Sequence, residues 1–102
     1  MKPRVGTTLR SATDGTTVVV VRWGADDVEI TCGGAPMVDA RSGTVEPVGA
    51  DPAQQDGTQM GKRYVDEGRG IELLCTKAGA GTLAVAGAAL PIKGSKPLPA
   101  SD

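Results

Sequence analysis

The chain has 102 residues, 11 of them lysine or arginine and 12 aspartate or glutamate, for a formal net charge of -1. That length holds one small domain or two very small repeats. No basic excess is present to neutralise a phosphate backbone, Trp23 and Tyr64 are the only aromatic rings, and histidine is absent. General nucleic-acid binding and histidine-based catalysis or metal ligation are therefore not expected.

Met1-Lys2-Pro3-Arg4 is basic, but no apolar stretch follows it, and the longest apolar run, Val18 to Val21, is far short of a membrane span. The expectation is a cytoplasmic protein with no membrane partner. Asp14-Gly15 is a turn dipeptide leading into Thr16 to Trp23, the strongest strand signal in the chain. Val18 and Val20 point one way and Val19 and Val21 the other. Both faces are thus apolar, which calls for a sandwich-like core or a face covered by a partner. Gly24 to Asp27 reads as a turn. Val28 to Cys32 alternates apolar and polar, and is expected to pair back on the first strand as a hairpin.

Asp39 to Gly61 is rich in Asp, Gly, Pro, Gln and Ser. Within it Thr44 to Val48 reads as a short edge strand limited by Pro47, and Gly49 to Gly61 as a mobile linker. Strand signals resume at Arg63-Tyr64-Val65 and at Ile71 to Lys77. Ala78-Gly79-Ala80-Gly81 is a glycine turn, and Thr82 to Ala86 its expected partner strand. The expected organisation is a first unit over 1–48, the linker over 49–61, a second unit over 62–93 and an extended Pro-rich tail over 94–102. The tail reads either as a disordered end or as a segment docked on another protein.

The two units align as copies. Gly15 falls opposite Gly70, Glu29-Ile30 opposite Thr82-Leu83, Cys32 opposite Val85, and Gly34 to Met37 opposite Gly87 to Leu90. Each is too small to bury a core alone, so the two are expected to share one about a pseudo-two-fold axis. Ile30-Thr31-Cys32-Gly33-Gly34-Ala35-Pro36-Met37 resembles the closing Cys-Cys-Gly-x-Pro-Met knuckle of the desulforedoxin, zinc-ribbon and rubredoxin-like family, with Gly33 in place of the second cysteine. Ser11, Asp14 and Gly15 fall at that family's opening Cys-x-x-Cys-Gly positions. Tyr64, Asp66, Arg69 and Gly70 fall at its Tyr-x-Cys-x-x-Cys-Gly positions in the second unit. The resemblance implies a mostly β fold of two tandem desulforedoxin-like units with no substantial helix. Because Cys32 and Cys75 are the only cysteines, it also implies a scaffold that has lost its four-thiolate metal centre. Cys32 and Asp14 are the only ligand candidates left.

Other motifs read as structure. Gly79-Ala80-Gly81 precedes a strand, not the helix that a phosphate loop needs. Asp26-Asp27 and Asp66-Glu67 are turn charges. Cys75 lies mid-strand as a buried thiol, whereas Cys32, beside glycines, is the more accessible one. Trp23 is either a core anchor or an interface residue. The resulting expectation is a non-catalytic accessory subunit, bacterial by its composition, without a cofactor. It docks on a larger enzyme or assembly through apolar strands and its tail, with Trp23, Met37, Tyr64, Leu98 and Pro99 as contacts. A homodimer is the alternative assembly. The alternative function is a metal or thiol-redox protein using Cys32 with ligands from a partner chain.

Overall fold

A computed structural model describes residues 3–42, 49 and 51–93. The fold is mostly β and its strands pair antiparallel. In chain order the strands are β1 (Thr8–Arg10), β2 (Thr17–Trp23), β3 (Ile30–Cys32), β4 (Ala35–Pro36) and β5 (Val38–Asp39), then a 3-10 turn at Ala40–Ser42. β6 (Arg63–Asp66), β7 (Ile71–Lys77), β8 (Leu83–Val85) and β9 (Ala88–Ala89) follow. One sheet runs β5-β1-β2-β7-β6 and the other β4-β3-β8-β9. The expected edge strand at Thr44 to Val48 and the tail from 94 onward lie outside the described residues.

The hairpins expected between β2 and β3, and between β7 and β8, do not form. β2 pairs with β1 and β7, whereas β3 pairs with β4 and β8. The reason lies at Gly24. Its amide donates to the Gly70 carbonyl at 2.9 Å, and a Cβ there would lie 3.1 Å from the Arg69 carbonyl oxygen. Held against the β6–β7 turn, the chain leaves the first sheet, packs Ala25 and Val28 against the core and enters the second sheet at Ile30.

The pairing registers obey a two-fold exchange. Val18 pairs with Cys75 and Val20 with Leu73, while Val19 and Leu74 pair on the axis. In the other sheet Ile30 pairs with Val85 and Cys32 with Leu83, with Thr31 and Ala84 on the axis. The loops repeat the pattern: Gly33 N donates to Thr82 O at 3.1 Å and Ala86 N to Glu29 O at 2.9 Å. The segment Ala35 to Asp39 bends from the β3 edge to the β1 edge. Its counterpart, Ala88 to Lys93, bends from β8 to β6 through the Val65 N to Pro91 O bond at 3.0 Å and the Tyr64–Ile92 bridge.

The core lies between the sheets. Leu9, Val18, Val20, Ile71, Leu73 and Cys75 from the first meet Ile30, Cys32, Leu83 and Val85 from the second. Val19 and Val21 face outward and are half-buried, as strand alternation requires. Residues 51–61, expected to be a free linker, are tied down instead. Asp51 N donates to Gly33 O at 2.8 Å, Thr82 N to Gln54 O at 2.8 Å, and Gly61 N to Cys75 O at 2.8 Å. Their polar composition reflects a segment held by backbone hydrogen bonds, not by apolar packing.

Each short knuckle turn has two successive residues at positive φ: Gly33 (66°) and Gly34 (89°), then Ala86 (51°) and Gly87 (84°). This is the backbone demanded by a two-residue hairpin turn. Ala86 carries a Cβ in a region that disfavours it by roughly 1 kcal/mol or more. Exchanging it for glycine relieves that strain and adds back some unfolded-state entropy. Ala86→Gly is therefore expected to stabilise by about 0.5 kcal/mol, a rise of roughly 2–4 °C in Tm for a domain of this size, read by thermal unfolding. Gly87→Ala should do the reverse.

Candidate functional site

The turn between β1 and β2 gathers a cluster of polar side chains. Ser11 Oγ accepts from Thr13 N at 3.0 Å and Asp14 N at 3.3 Å, closing the turn on itself. Asp14 then reaches in two directions. Its Oδ1 accepts from Thr16 N at 2.8 Å, and its Oδ2 from Gly81 N at 2.7 Å, across the sheet boundary. Burial alone would raise the Asp14 carboxyl, but the hydrogen bonds from Thr16, Gly81 and Ser11 outweigh it and hold the group below the usual carboxylate range. Thr58 Oγ1 accepts from Gly79 N at 3.0 Å and faces Thr16 Oγ1 at 3.4 Å. Thr16 and Thr58 are both buried, and the sequence signals neither: Thr16, between a turn and a valine run, looks like any strand residue, and Thr58 lies in a stretch of linker-like composition.

Cys32 lies under this turn. Contrary to the expectation of an accessible thiol, it is 0% exposed: it belongs to the core between the sheets, and Gly81 comes so close that a Cβ there would lie 2.9 Å from its Sγ. Burial pushes the thiol pKa up; the Thr16 and Ser11 side chains oppose this, and the Asp14 charge reinforces it. The thiol form is thus favoured. The fold brings Ser11, Asp14 and Cys32 together. The donor set does not match a thiolate metal centre, however. One protonated thiol is available, and both Asp14 oxygens are already engaged by backbone N–H groups. Among the described residues, no cluster of three His, Cys, Asp or Glu groups is placed to hold a metal. Cys75, also buried and free, donates from Sγ to the Lys77 carbonyl at 3.3 Å.

The positions aligned with Ser11 and Asp14, Asp66 and Arg69, hold an ion pair. Arg69 Nη1 meets Asp66 Oδ2 at 2.8 Å, and Arg69 N donates to Asp66 Oδ1 at 3.1 Å, as Asp14 N does to Ser11. Hydrogen bonding from Arg69 holds the Asp66 carboxyl below its ordinary range.

The expected contact residues separate. Met37 (1% exposed) and Tyr64 (5%) are core side chains, and this removes them as surface contacts. Met37 fills the space under the bend between β4 and β5, and Tyr64 anchors its hydroxyl by accepting from Gln59 N at 2.9 Å. Trp23 packs partly buried against the core, and its Nε1 is buried without a hydrogen-bond partner among the described residues. Leu98 and Pro99 lie outside the described residues.

Outside the core, the outer face of the five-stranded sheet carries an apolar strip. Val19, Val21 and Leu74 stand half-buried on it, with the Val19–Leu74 pair on the two-fold axis. Charges flank the strip. Glu72 receives Lys93 Nζ at 3.0 Å and Arg63 Nη1 at 3.1 Å. Its low exposure comes from these two half-exposed cations rather than from packed core. The Lys93 hydrogen bond, then the other cationic contacts, hold its carboxyl below the ordinary value. No family model matches the chain, and comparison with curated proteins and with solved structures finds no significant match.

Proposed function

We propose that the chain is a non-catalytic binding protein, an accessory subunit that docks on a larger protein through an apolar sheet face. The observation that carries this reading is the Val19, Val21 and Leu74 strip with its rim of Arg22, Arg63, Glu72 and Lys93. A small apolar centre inside a charged border is the anatomy of a protein interface. Trp23, paired with Ile71 on the core side of the same sheet, is half-buried and does not belong to the strip; it stays in the proposal with Leu98 and Pro99 of the tail as a separate contact. In this reading the chain is a duplicated, desulforedoxin-like scaffold of a bacterial cytoplasm. The symmetric registers and the Ser11/Asp14/Cys32 and Asp66/Arg69 positions support that ancestry.

The test is capture of the tagged full chain from its native host, followed by native mass spectrometry. A stoichiometric larger partner is expected. Leu74→Lys, which places a charge at the centre of the strip but outside the core, should abolish capture while shifting stability by less than about 1 kcal/mol. Retention of the same partner by Leu74→Lys would refute the strip. A lone chain carrying bound metal would move the weight to Cys32 and metal or thiol chemistry.

A further inference from the structure

The two-fold exchange also breaks at the outer edge of the four-stranded sheet. In β4 the Met37 amide turns inward to Ile30 O at 2.9 Å, and in β9 the Leu90 amide turns inward to Leu83 O at 2.9 Å. Backbone groups alternate along an antiparallel strand, so the preceding residue in each case presents its backbone outward. In β4 that residue is Pro36, which has no N–H to offer. In β9 it is Ala89, which retains both N–H and C=O at the edge. Proline is a common device for closing an edge strand. One edge is thus closed and its twin is open.

The open edge borders a hollow of about 310 Å³. Val65, Leu90 and Pro91 give it an apolar lining, and the β6–β7 turn walls its far side. There Asp66 and Arg69 neutralise each other, whereas the exposed Glu67 carboxylate makes no ion pair among the described residues. Ala88 and Ala89 are exposed and too small to shield the backbone between them.

We infer that this edge takes an extended peptide segment of a partner protein by β-strand addition. The segment seats an apolar side chain against Val65, Leu90 and Pro91, and sets a lysine or arginine beside Glu67. The strand edge, unpaired among the described residues, specifies an extended backbone, and the unbalanced carboxylate specifies a cation. The inference rests on the accessory-subunit reading and adds a second contact, remote from the Val19–Leu74 strip.

The experiment titrates a synthetic six-residue peptide of alternating valine and lysine, capped at both ends, into isotope-labelled full chain observed by NMR. Saturable amide shifts at Gly87 to Leu90 and Val65 to Glu67 are expected. Ala89→Pro copies the twin strand, removes the outward N–H and should weaken binding at least roughly tenfold. Glu67→Lys, on an exposed turn, keeps the fold if Ala89→Pro does not. It should weaken the lysine peptide and let a valine–glutamate peptide bind instead. Absent or displaced shifts, or binding indifferent to both variants, would overturn the groove. An Ala89→Pro-sensitive self-association would overturn the choice of occupant in favour of a second copy. A native-host partner that survives both variants but is lost in Leu74→Lys would overturn the groove and leave the accessory-subunit reading standing.

Discussion

Gly79→Ala is expected to lose about 3 kcal/mol or more of stability, enough to unfold a small domain of ordinary marginal stability under mild denaturant. A Cβ at Gly79 would overlap Thr16 Oγ1 and stand 2.8 Å from Asp14 Oδ1. Neither neighbour can retreat cheaply. Thr16 is fully buried, and Asp14 Oδ1 is fixed by the Thr16 amide. Moving the loop instead would break the Gly79 N to Thr58 Oγ1 bond at 3.0 Å and the Thr58 N to Gly79 O bond at 3.0 Å, which secure the segment before β6. Gly81→Ala should act similarly, because its Cβ would lie 2.7 Å from Gly33 N and 2.9 Å from Cys32 Sγ. Gly68→Ala is the control. Its Cβ would meet nothing closer than Asp66 Oδ1 at 3.6 Å, its φ is not positive, and it should be nearly neutral. Urea unfolding of the three variants reads the difference. A Gly79→Ala variant within 1 kcal/mol of the parent would refute close packing as the reason for glycine.

These glycines show what the sequence conveys and what it withholds. The runs Thr17–Trp23, Ile71–Lys77 and Leu83–Val85 announce themselves by β-branched and apolar clusters between turn residues, and all three are strands. Which strands pair is another matter. A turn such as Gly24 to Asp27 looks the same whether it closes a hairpin or crosses between sheets. The outcome is decided by Gly70, far away in the chain. β1 carries one inward residue, Leu9, between two polar ones, too short a pattern to stand out. Residues 51–61 mislead for a different reason. Composition reports how much apolar surface a segment can bury, but these residues are held through backbone groups, which every sequence possesses.

The candidate site was legible in part for a similar reason. The knuckle over Cys32 to Met37 and its counterpart over Val85 to Leu90 could be aligned, because two-residue turns need glycine-like backbones at fixed spacing. The same alignment could not reveal that Met37 and Tyr64 are interior, since apolar residues suit a core and an interface equally well. Nor could it show the edge asymmetry between Pro36 and Ala89 until the outward direction of their backbones was fixed by register. The sign of a proline or an alanine at a sheet edge depends on which side of the strand is already paired.

The second large effect belongs to Asp14. Asp14→Ala is expected to cost about 2–6 kcal/mol, because it leaves the Thr16 and Gly81 amides, both in buried residues, without acceptors at roughly 1–3 kcal/mol each. Asp14→Asn keeps one carbonyl oxygen and should recover about half of that loss. The pH dependence distinguishes a charged clamp from a merely polar one. The Asp14 pKa is lower in the folded chain than in the unfolded chain, so its contribution is fully present above the unfolded value of about 4. It fades as the pH falls from there through the lower folded value, because the unfolded state then binds the proton first. Glu72 and Asp66, also lowered, contribute with the same sign in the same acid range. The parent should therefore lose stability between about pH 5 and pH 2, and Asp14→Asn should show a shallower slope over that interval with Glu72 and Asp66 intact. Equilibrium unfolding at a series of pH values measures both slopes. Equal slopes would mean that the Asp14 charge contributes nothing beyond its geometry, and the clamp between the β1–β2 turn and the Gly79–Gly81 loop would then be a hydrogen-bonding device alone.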